Sequence, residues 1–561
     1  MEKTMERGQK ASKSLFEKIY PWGYTPYRLQ WFDYVLAFLV FLVAFVGYIK
    51  TLTPSIGAGD SGELTTTLYN MGASHAPGYP LYGILGKLFT YLAFGDIGYR
   101  VNIYTATTAA GAVLFLFLTL VKLLGLNRSV PISSKKPQAL LSVHIPALAA
   151  SLAFAFASDH WQQAVGGEVY SLNVFLVSMM IFVMVWWYEE LLGNRNREEI
   201  DFAYRKSLLL AYVMGLSLTD HQLPLWYIVA FFLVMFPLTF FALFANKVED
   251  TKHVKMSSTF SIWWVVLLAP VVSLVVMQIS GRLGLAFLLF GALAAYSFFG
   301  ILLSHLKKEY AEAFQNRLPY VLTMAVLAVI SVAIFLVKAY LARLIYPQDV
   351  GLILFSIFLV PVYLLGYTIV VKLMGLKGNW VDRVMEIMGF GSLLFIFAMT
   401  IYLYMMVRAN ALADLPDPKP LSWGDTRSLE VLFNQMLRKQ YGGRAASGGI
   451  NYFWGQLAWV GKFLVSQFGF VNVLIGVAGF LFMLLREKIW ATYLLWAMTL
   501  LTVSLIKFVN PEVDAWTQSF QVVMHIQNFW VYAIFIGFGY QALLDLFSGQ
   551  WKRSMAMEEK N

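Results

Sequence analysis

Apolar positions dominate the chain in runs of roughly 17 to 25 residues separated by short polar stretches, the pattern of helices that cross a bilayer. Such runs at 34–50, 100–124, 144–158, 172–190, 207–218, 223–245, 261–280, 285–304, 319–338, 351–372, 384–406, 460–485, 489–508 and 525–547 predict about fourteen spans. The pattern lacks the short alternating strands of a membrane β-barrel. The expected fold class is therefore an all-α polytopic membrane protein. The stretch between the first two runs, 51–99, is different. It is polar and holds two short helical segments, about 62–73 and 80–94. The second is apolar but too short to span, so it lies along the interface or dips into it.

Composition fits this reading. Hydrophobic residues make up 59% of the 561 positions and charged residues 13%, against about a quarter charged in a soluble domain. Cysteine is absent, which excludes disulfides, thiol catalysis and cysteine-ligated metals. The net charge of +10 is read as Lys and Arg on cytoplasmic loops, with no nucleic-acid partner. Residues 1–33 carry Lys3, Arg7, Lys10, Lys13, Lys18 and Arg28, and this segment is expected in the cytoplasm without a cleavable signal. A transmembrane core follows over 34–406, with the outer loop 51–99 inside it. Next come a large outer loop at 407–459, the C-terminal helices at 460–547 and a cytoplasmic tail at 548–561.

With both ends inside, Asp60, Glu63, His75, His160, Glu168, Asp220, His221, Arg408, Asp425 and Asp514 all fall on the outer side, near span ends where ionisable groups cost least. A site built from carboxylates and histidines therefore opens outward. No P-loop or dinucleotide fingerprint is present to support cytosolic nucleotide chemistry, and no G-x-S-x-G supports a serine hydrolase.

Each motif has a plain structural reading beside the chemical one. Asp60 and Glu63, in Gly59 to Glu63, suit a helix N-cap and its third residue. They also suit a general base for a hydroxyl. His75-Ala76-Pro77-Gly78-Tyr79-Pro80 is first a rigid chain reversal, in which His75 and Tyr79 can also bond a phosphate or sugar. Glu168, Tyr170 and Asn173 sit beside interfacial aromatics. Asp220-His221 marks a helix break without metal-ligand spacing. Arg408 either snorkels or grips a phosphate. Trp423 and Asp425 lie in the long outer loop, as does Arg438-Lys439-Gln440-Tyr441.

Together, Gly59 to Glu63, His75 to Tyr82, Tyr99 to Asn102, Glu168 to Asn173, Gly215 to His221, Trp423 to Glu430 and Arg438 to Tyr441 resemble the signature of a bacterial membrane family. Its vertebrate relative is the transmembrane O-mannosyltransferase of plexin and receptor IPT domains. Asp220 and Ser422 stand where that family commonly has Asn. The resemblance implies a GT-C glycosyltransferase fold, an essential acid and two juxtamembrane helices in the first outer loop, and a polyprenyl-phosphate-linked sugar as donor.

The expected function is inverting transfer of a hexose, by the resemblance mannose, to a protein Ser/Thr or glycan hydroxyl. Asp60 is the expected base, and Glu63 shares that role or positions the acceptor. Arg408, His75 and His221 stabilise the phosphate leaving group. Tyr79, Glu168, Tyr170, Asn173, Asp220, Trp423 and Asp425 line the donor and acceptor sites. No cofactor is required, because the donor carries one phosphate; a divalent metal is compatible but unsupported. The expected setting is a bacterial inner membrane, with the site facing the periplasm or exterior and membrane lipids around it. The alternative, a transporter or lipid-linked-sugar flippase, calls for midplane charges and inverted repeats, and neither is clear in the chain.

Overall fold

The structure, a computed structural model, describes residues 26–126, 137–193, 203–239, 312, 315–321, 323, 350–376, 378–441, 449–508 and 521–548. Every regular element among them is helical. The expected spans at 261–280 and 285–304, nearly all of 319–338, the N-terminal basic residues to position 25, Asp514 and the tail from 549 lie outside the described residues. Seven described helices are long and apolar enough to cross a membrane, or eight if one bent pair is counted as a span. The chain is an integral multi-pass membrane protein.

Helix α1 (Trp31–Lys50) starts where the Asp33 carboxylate accepts the Gln30 amide at 2.6 Å. Two short helices follow in the first loop, α2 (Ser61–Asn70) and α3 (Pro80–Phe89). Pro80 supplies the preset φ of a first helical residue. Helix α4 (Ile97–Gly125) begins at Asp96, which accepts from Tyr99 N at 2.7 Å. It is almost entirely buried and packs against α1, α5 (Pro137–Ala155) and α7 (Tyr170–Gly193), so it is the central post of this half.

Between α5 and α7 the chain departs from the expected open loop at 161–171. It bends by 61° at Phe156-Ala157 and continues as α6 (Ser158–Val165). The new N-terminus is satisfied from elsewhere: Gln467 Oε1 accepts from Asp159 N at 2.9 Å and Ser158 Oγ at 3.2 Å. His160 is thereby carried into the core, stacked on Phe154, rather than to the membrane surface.

Helices α8 (Tyr204–Leu218) and α9 (Pro224–Ala230, extended by a π turn to Met235) flank the connection at 219–223. Helix α10 (Val350–Leu373) packs on α11 (Trp380–Met399), and α11 runs through a 3₁₀ turn into α12 (Leu403–Ala413). The 34 residues from Trp380 to Ala413 measure about 50 Å at 1.5 Å per residue. That exceeds a hydrocarbon core of about 30 Å, so part of this rod extends beyond it. Gly215 lets α8 lie directly on α11, since a Cβ there would sit 2.4 Å from Phe395 O.

Helix α13 (Leu429–Met436) lies in the outer loop. Helix α14 (Gly449–Arg486) begins well before the expected 460, with a non-helical break at Gly469 (φ +73°), so the last part of the expected outer loop is helical. Helices α15 (Lys488–Phe508) and α16 (Ile526–Phe547) complete the described chain, with α16 against α14, α5 and α4.

Polar groups collect at both ends of this bundle. At one end Lys122 and Glu189 form a buried ion pair, and Lys122 Nζ also donates to Tyr27 O at 3.2 Å. Beside them Asp33 pairs with His144 at 2.6 Å and accepts from the Tyr27 hydroxyl at 3.0 Å. The other end, reached by the start of α4 and the end of α1, holds the site.

Candidate active site

The site is framed by α2 and α3, the turn between them, the starts of α7 and α9, and the loop after α12. Asp60 is the residue before α2, but its side chain makes no capping bond. The capping pair suggested by the Asp60–Glu63 spacing does not form, because Glu63 turns the other way. Glu63 Oε1 accepts from His75 N at 2.7 Å, and Glu63 Oε2 lies 2.9 Å from His75 Nδ1. These two hydrogen bonds close the α2–α3 turn and fix the imidazole. The other ring nitrogen, Nε2, is 3.9 Å from Asp60 Oδ2 and 3.2 Å from the Tyr79 hydroxyl. Asp60 is left with a side chain 55% exposed, against 18% for Glu63. One carboxylate is thus committed to the protein and the other is offered to a ligand.

Tyr79 caps α3 in a left-handed conformation (φ +45°), and its ring is tilted against His221, with 5.7 Å between centroids. On the other side His221 meets Tyr170, also at 5.7 Å. Burial, with Arg438 and His75 nearby, holds the His221 pKa well below its usual value, so the ring is neutral. Asp220 is fully buried behind it, and burial raises its pKa well above the carboxylate range. Among the described residues neither of its oxygens has a well-formed hydrogen bond, and the Asn173 amide offsets only part of the cost. Asn173 in turn accepts from Gln527 of α16. Asp220 and Asn173 therefore support the wall of the site rather than face its opening.

Glu168 lies in the turn before α7, beside Gly59 and Asp60. Burial, then Asp60, pushes its pKa up to about 8, partly opposed by a hydrogen bond from the Asp60 amide, with Glu63 adding to the rise. An acid whose folded pKa lies above its unfolded value of 4.5 binds more protons folded than unfolded between the two values. Stability should therefore fall as pH rises from about 4.5 to about 8 and level off above. Thermal unfolding across this range should show that slope in the wild type and a flatter one in Glu168→Gln. Equal slopes would mean that Glu168 is ionised in the fold.

The outer loop closes over the first one. Trp423 N donates to Ala73 O at 2.8 Å, Ser422 Oγ accepts from Ala73 N at 3.0 Å, and Gln435 Nε2 donates to Ser74 O at 3.1 Å. The Trp423 ring, partly exposed, reaches to 6.5 Å from His75. Arg408 donates to Met71 O at 2.8 Å and Asn70 O at 3.1 Å, so it caps the far end of α2. Asp425 is exposed and paired with Arg427, whose hydrogen bonds hold its pKa below the usual value. Of the residues expected at the site, the fold brings together Asp60, Glu63, His75, Tyr79, Glu168, Tyr170, His221 and Trp423. Asp220 and Asn173 stand behind, and Arg408 and Asp425 at the margin. Arg438, to which sequence reading assigned no role, stands among them instead, 3.3 Å from the Tyr79 hydroxyl.

Asp60, Glu63 and His75 offer three ligand atoms within 4.8 Å of one another, a spacing that would admit a divalent cation. The Glu63 oxygens and His75 are already satisfied by each other. What fold and site define is a helical, multi-pass membrane protein with a carboxylate–histidine cluster at one end of its bundle.

Residues 60–241 match the family profile "Protein O-mannosyl-transferase TMEM260 N-terminal domain", and this stretch is related to that family. The Protein O-mannosyl-transferase TMEM260 of Mus musculus is 31% identical over 201 residues, covering 36% of this chain and 25% of the mouse protein. The corresponding Dictyostelium discoideum protein is 24% identical over 237 residues, 41% of this chain and 26% of its own length. The chain thus spans about a quarter of the length of the curated relatives it matches. Among solved structures, ArnT from Cupriavidus metallidurans bound to undecaprenyl phosphate aligns over 88% of this chain and 77% of its own, with 11% identity and a TM-score of 0.24.

Proposed function

We propose that the chain is a GT-C-type membrane glycosyltransferase that moves a hexose, mannose, from a polyprenyl-phosphate donor to a protein or glycan hydroxyl on the extracytoplasmic side. The observation that carries this reading is the division between the two acids. Glu63 is bound to His75 by both its oxygens, while the Asp60 side chain is half-exposed at the opening, 3.9 Å from His75 Nε2 and without a hydrogen bond among the described residues. The relation to O-mannosyl-transferases over 60–241, a stretch that begins at Asp60, supports it.

In this mechanism the acceptor O–H gives its proton to Asp60 as its oxygen bonds the sugar C1. The bond from C1 to the phosphate oxygen breaks, and the lipid phosphate leaves with the electron pair. A phosphate leaving group calls for stabilisation of negative charge rather than for protonation. His75, held by Glu63, presents its Nε2 towards Asp60 and the Tyr79 hydroxyl and so orients the groups around the base.

The test is direct. Purified protein in lipid nanodiscs, given labelled mannosyl-phosphoryl-polyprenol and an extract of membrane and secreted proteins, is expected to release polyprenyl phosphate and to label protein. Release from no sugar donor with any acceptor would overturn the reading. The same assay with a chelator should lose no activity, because a single phosphate can be held by hydrogen-bond donors. Activity lost to chelation and restored by a divalent ion would instead place a cation among Asp60, Glu63 and His75.

A further inference from the structure

Arg438 stands inside the site with no carboxylate partner among the described residues. It follows α13 in a left-handed conformation (φ +56°), one that long side chains rarely adopt and that tends to persist where function requires it. Its Nη2 lies 3.3 Å from the Tyr79 hydroxyl and 3.3 Å from His221 Nε2, and its Nε is buried without a partner among the described residues. A guanidinium carries five donors and no acceptor. In a partly enclosed position an uncompensated cation is costly, and an anion bound there would offset that cost.

The His221 contact sharpens this. Leu223 N donates to His221 Nδ1 at 3.2 Å, which occupies the lone pair on that nitrogen. The single proton of a neutral imidazole must then be on Nε2. Nε2–H and the Arg438 N–H therefore face each other as two donors, 3.3 Å apart between nitrogens. Two convergent donors suit one shared acceptor oxygen, such as that of a phosphate. Tyr79, which accepts from Arg438, aims the guanidinium, and the rings of Tyr79 and Tyr170 on either side hold His221 in place.

We propose that Arg438 and His221 form an anion subsite that binds a phosphate group. The subsite lies at the opposite end from Asp60 of a line that runs Asp60, His75, Tyr79, Arg438, with gaps of 3.9, 3.2 and 3.3 Å. That puts a base at one end and a cation at the other, the polarity needed to activate a hydroxyl and stabilise a departing phosphate. Arg408, the cation suggested by sequence, is bound to backbone carbonyls instead. This inference rests on reading the site as one that handles a phosphate-linked sugar.

The test measures binding apart from transfer. Wild type, Arg438→Gln and Arg438→Lys in nanodiscs are titrated with polyprenyl phosphate and with the uncharged polyprenol. Arg438→Gln is expected to weaken phosphate-lipid binding about tenfold or more while polyprenol binding is unchanged, with Arg438→Lys in between. Competition by inorganic phosphate assigns the subsite to the phosphate group alone, and failure to compete assigns it to phosphate presented on a lipid. Equal binding of phosphate lipid by Arg438→Gln and wild type overturns the proposal, as does equal loss of both lipids, which would make Arg438 a structural residue. Phosphate-lipid binding that depends on Arg438, found without sugar transfer, would overturn the transferase reading and leave the anion subsite standing.

Discussion

Asp60→Asn is expected to lower sugar transfer by roughly 10²- to 10⁴-fold, the usual contribution of a general base. The substitution keeps size and hydrogen-bonding capacity and removes only the ability to take a proton. It should not disturb the fold, because the Asp60 side chain makes no capping bond and is 55% exposed. Glu63→Gln is expected to cost less, about tenfold, and to act through His75. Its Oε1 accepts from the His75 amide, and the His75 ring at 2.9 Å from Oε2 would lose the carboxylate that orients it. His75→Asn should resemble Glu63→Gln more closely than Asp60→Asn. The reverse ranking, with Glu63→Gln the more damaging, would make Glu63 the base and Asp60 its helper. Initial rates of labelled-sugar transfer for the three variants, compared at saturating donor, decide this.

The second large effect is on stability and lies at the opposite end of the bundle. Lys122 of α4 and Glu189 of α7 are 2% and 5% exposed and form a buried ion pair. Removing one member of such a pair leaves a buried charge unpaired and costs roughly 3–5 kcal/mol, whereas replacing both with apolar residues is often neutral. Lys122→Met is therefore expected to lower the thermal unfolding midpoint of the detergent-solubilised protein markedly, and Lys122→Met with Glu189→Met to restore most of it. A single variant as stable as wild type would show that the pair is hydrated and contributes little. Sugar transfer at low temperature should survive in the double variant, since no residue of the site touches this pair.

The contrast between these regions explains what could be read from the chain. The two helices of the first loop were legible because polar residues interrupt the apolar runs on both sides of them. The break between α5 and α6 was not. The apolar run ends near 158 and the polar residues after it read as loop, whereas the chain resumes as a helix whose N-terminus is capped by Gln467, some 300 positions away. The early start of α14 was hidden for a similar reason: the helix before Gly469 is less uniformly apolar than a span, so its pattern reads as loop.

At the site, spacing placed Asp60 and Glu63 on one helical turn and suggested a cap. Tertiary structure redirected Glu63 to a histidine twelve residues on, across a proline-bearing reversal that the periodicity cannot resolve. Arg408 follows the apolar run 384–406 and Arg438 lies deep in the outer loop, so position along the chain favours Arg408. Only the docking of 421–435 on 72–74 sends the first to the end of α2 and the second to Tyr79 and His221.

The central claim is that Asp60 accepts the proton of an acceptor hydroxyl while a lipid phosphate leaves from the far side of the same site. It is tested most directly by a structure with a non-transferable sugar-phosphate lipid and an acceptor peptide bound. The account predicts the acceptor hydroxyl about 2.6–3.2 Å from an Asp60 oxygen, directly or through one water, with the sugar between Asp60 and Arg438. A sugar seated away from Asp60, with the acceptor hydroxyl facing Glu63, Glu168 or no carboxylate at all, would contradict it.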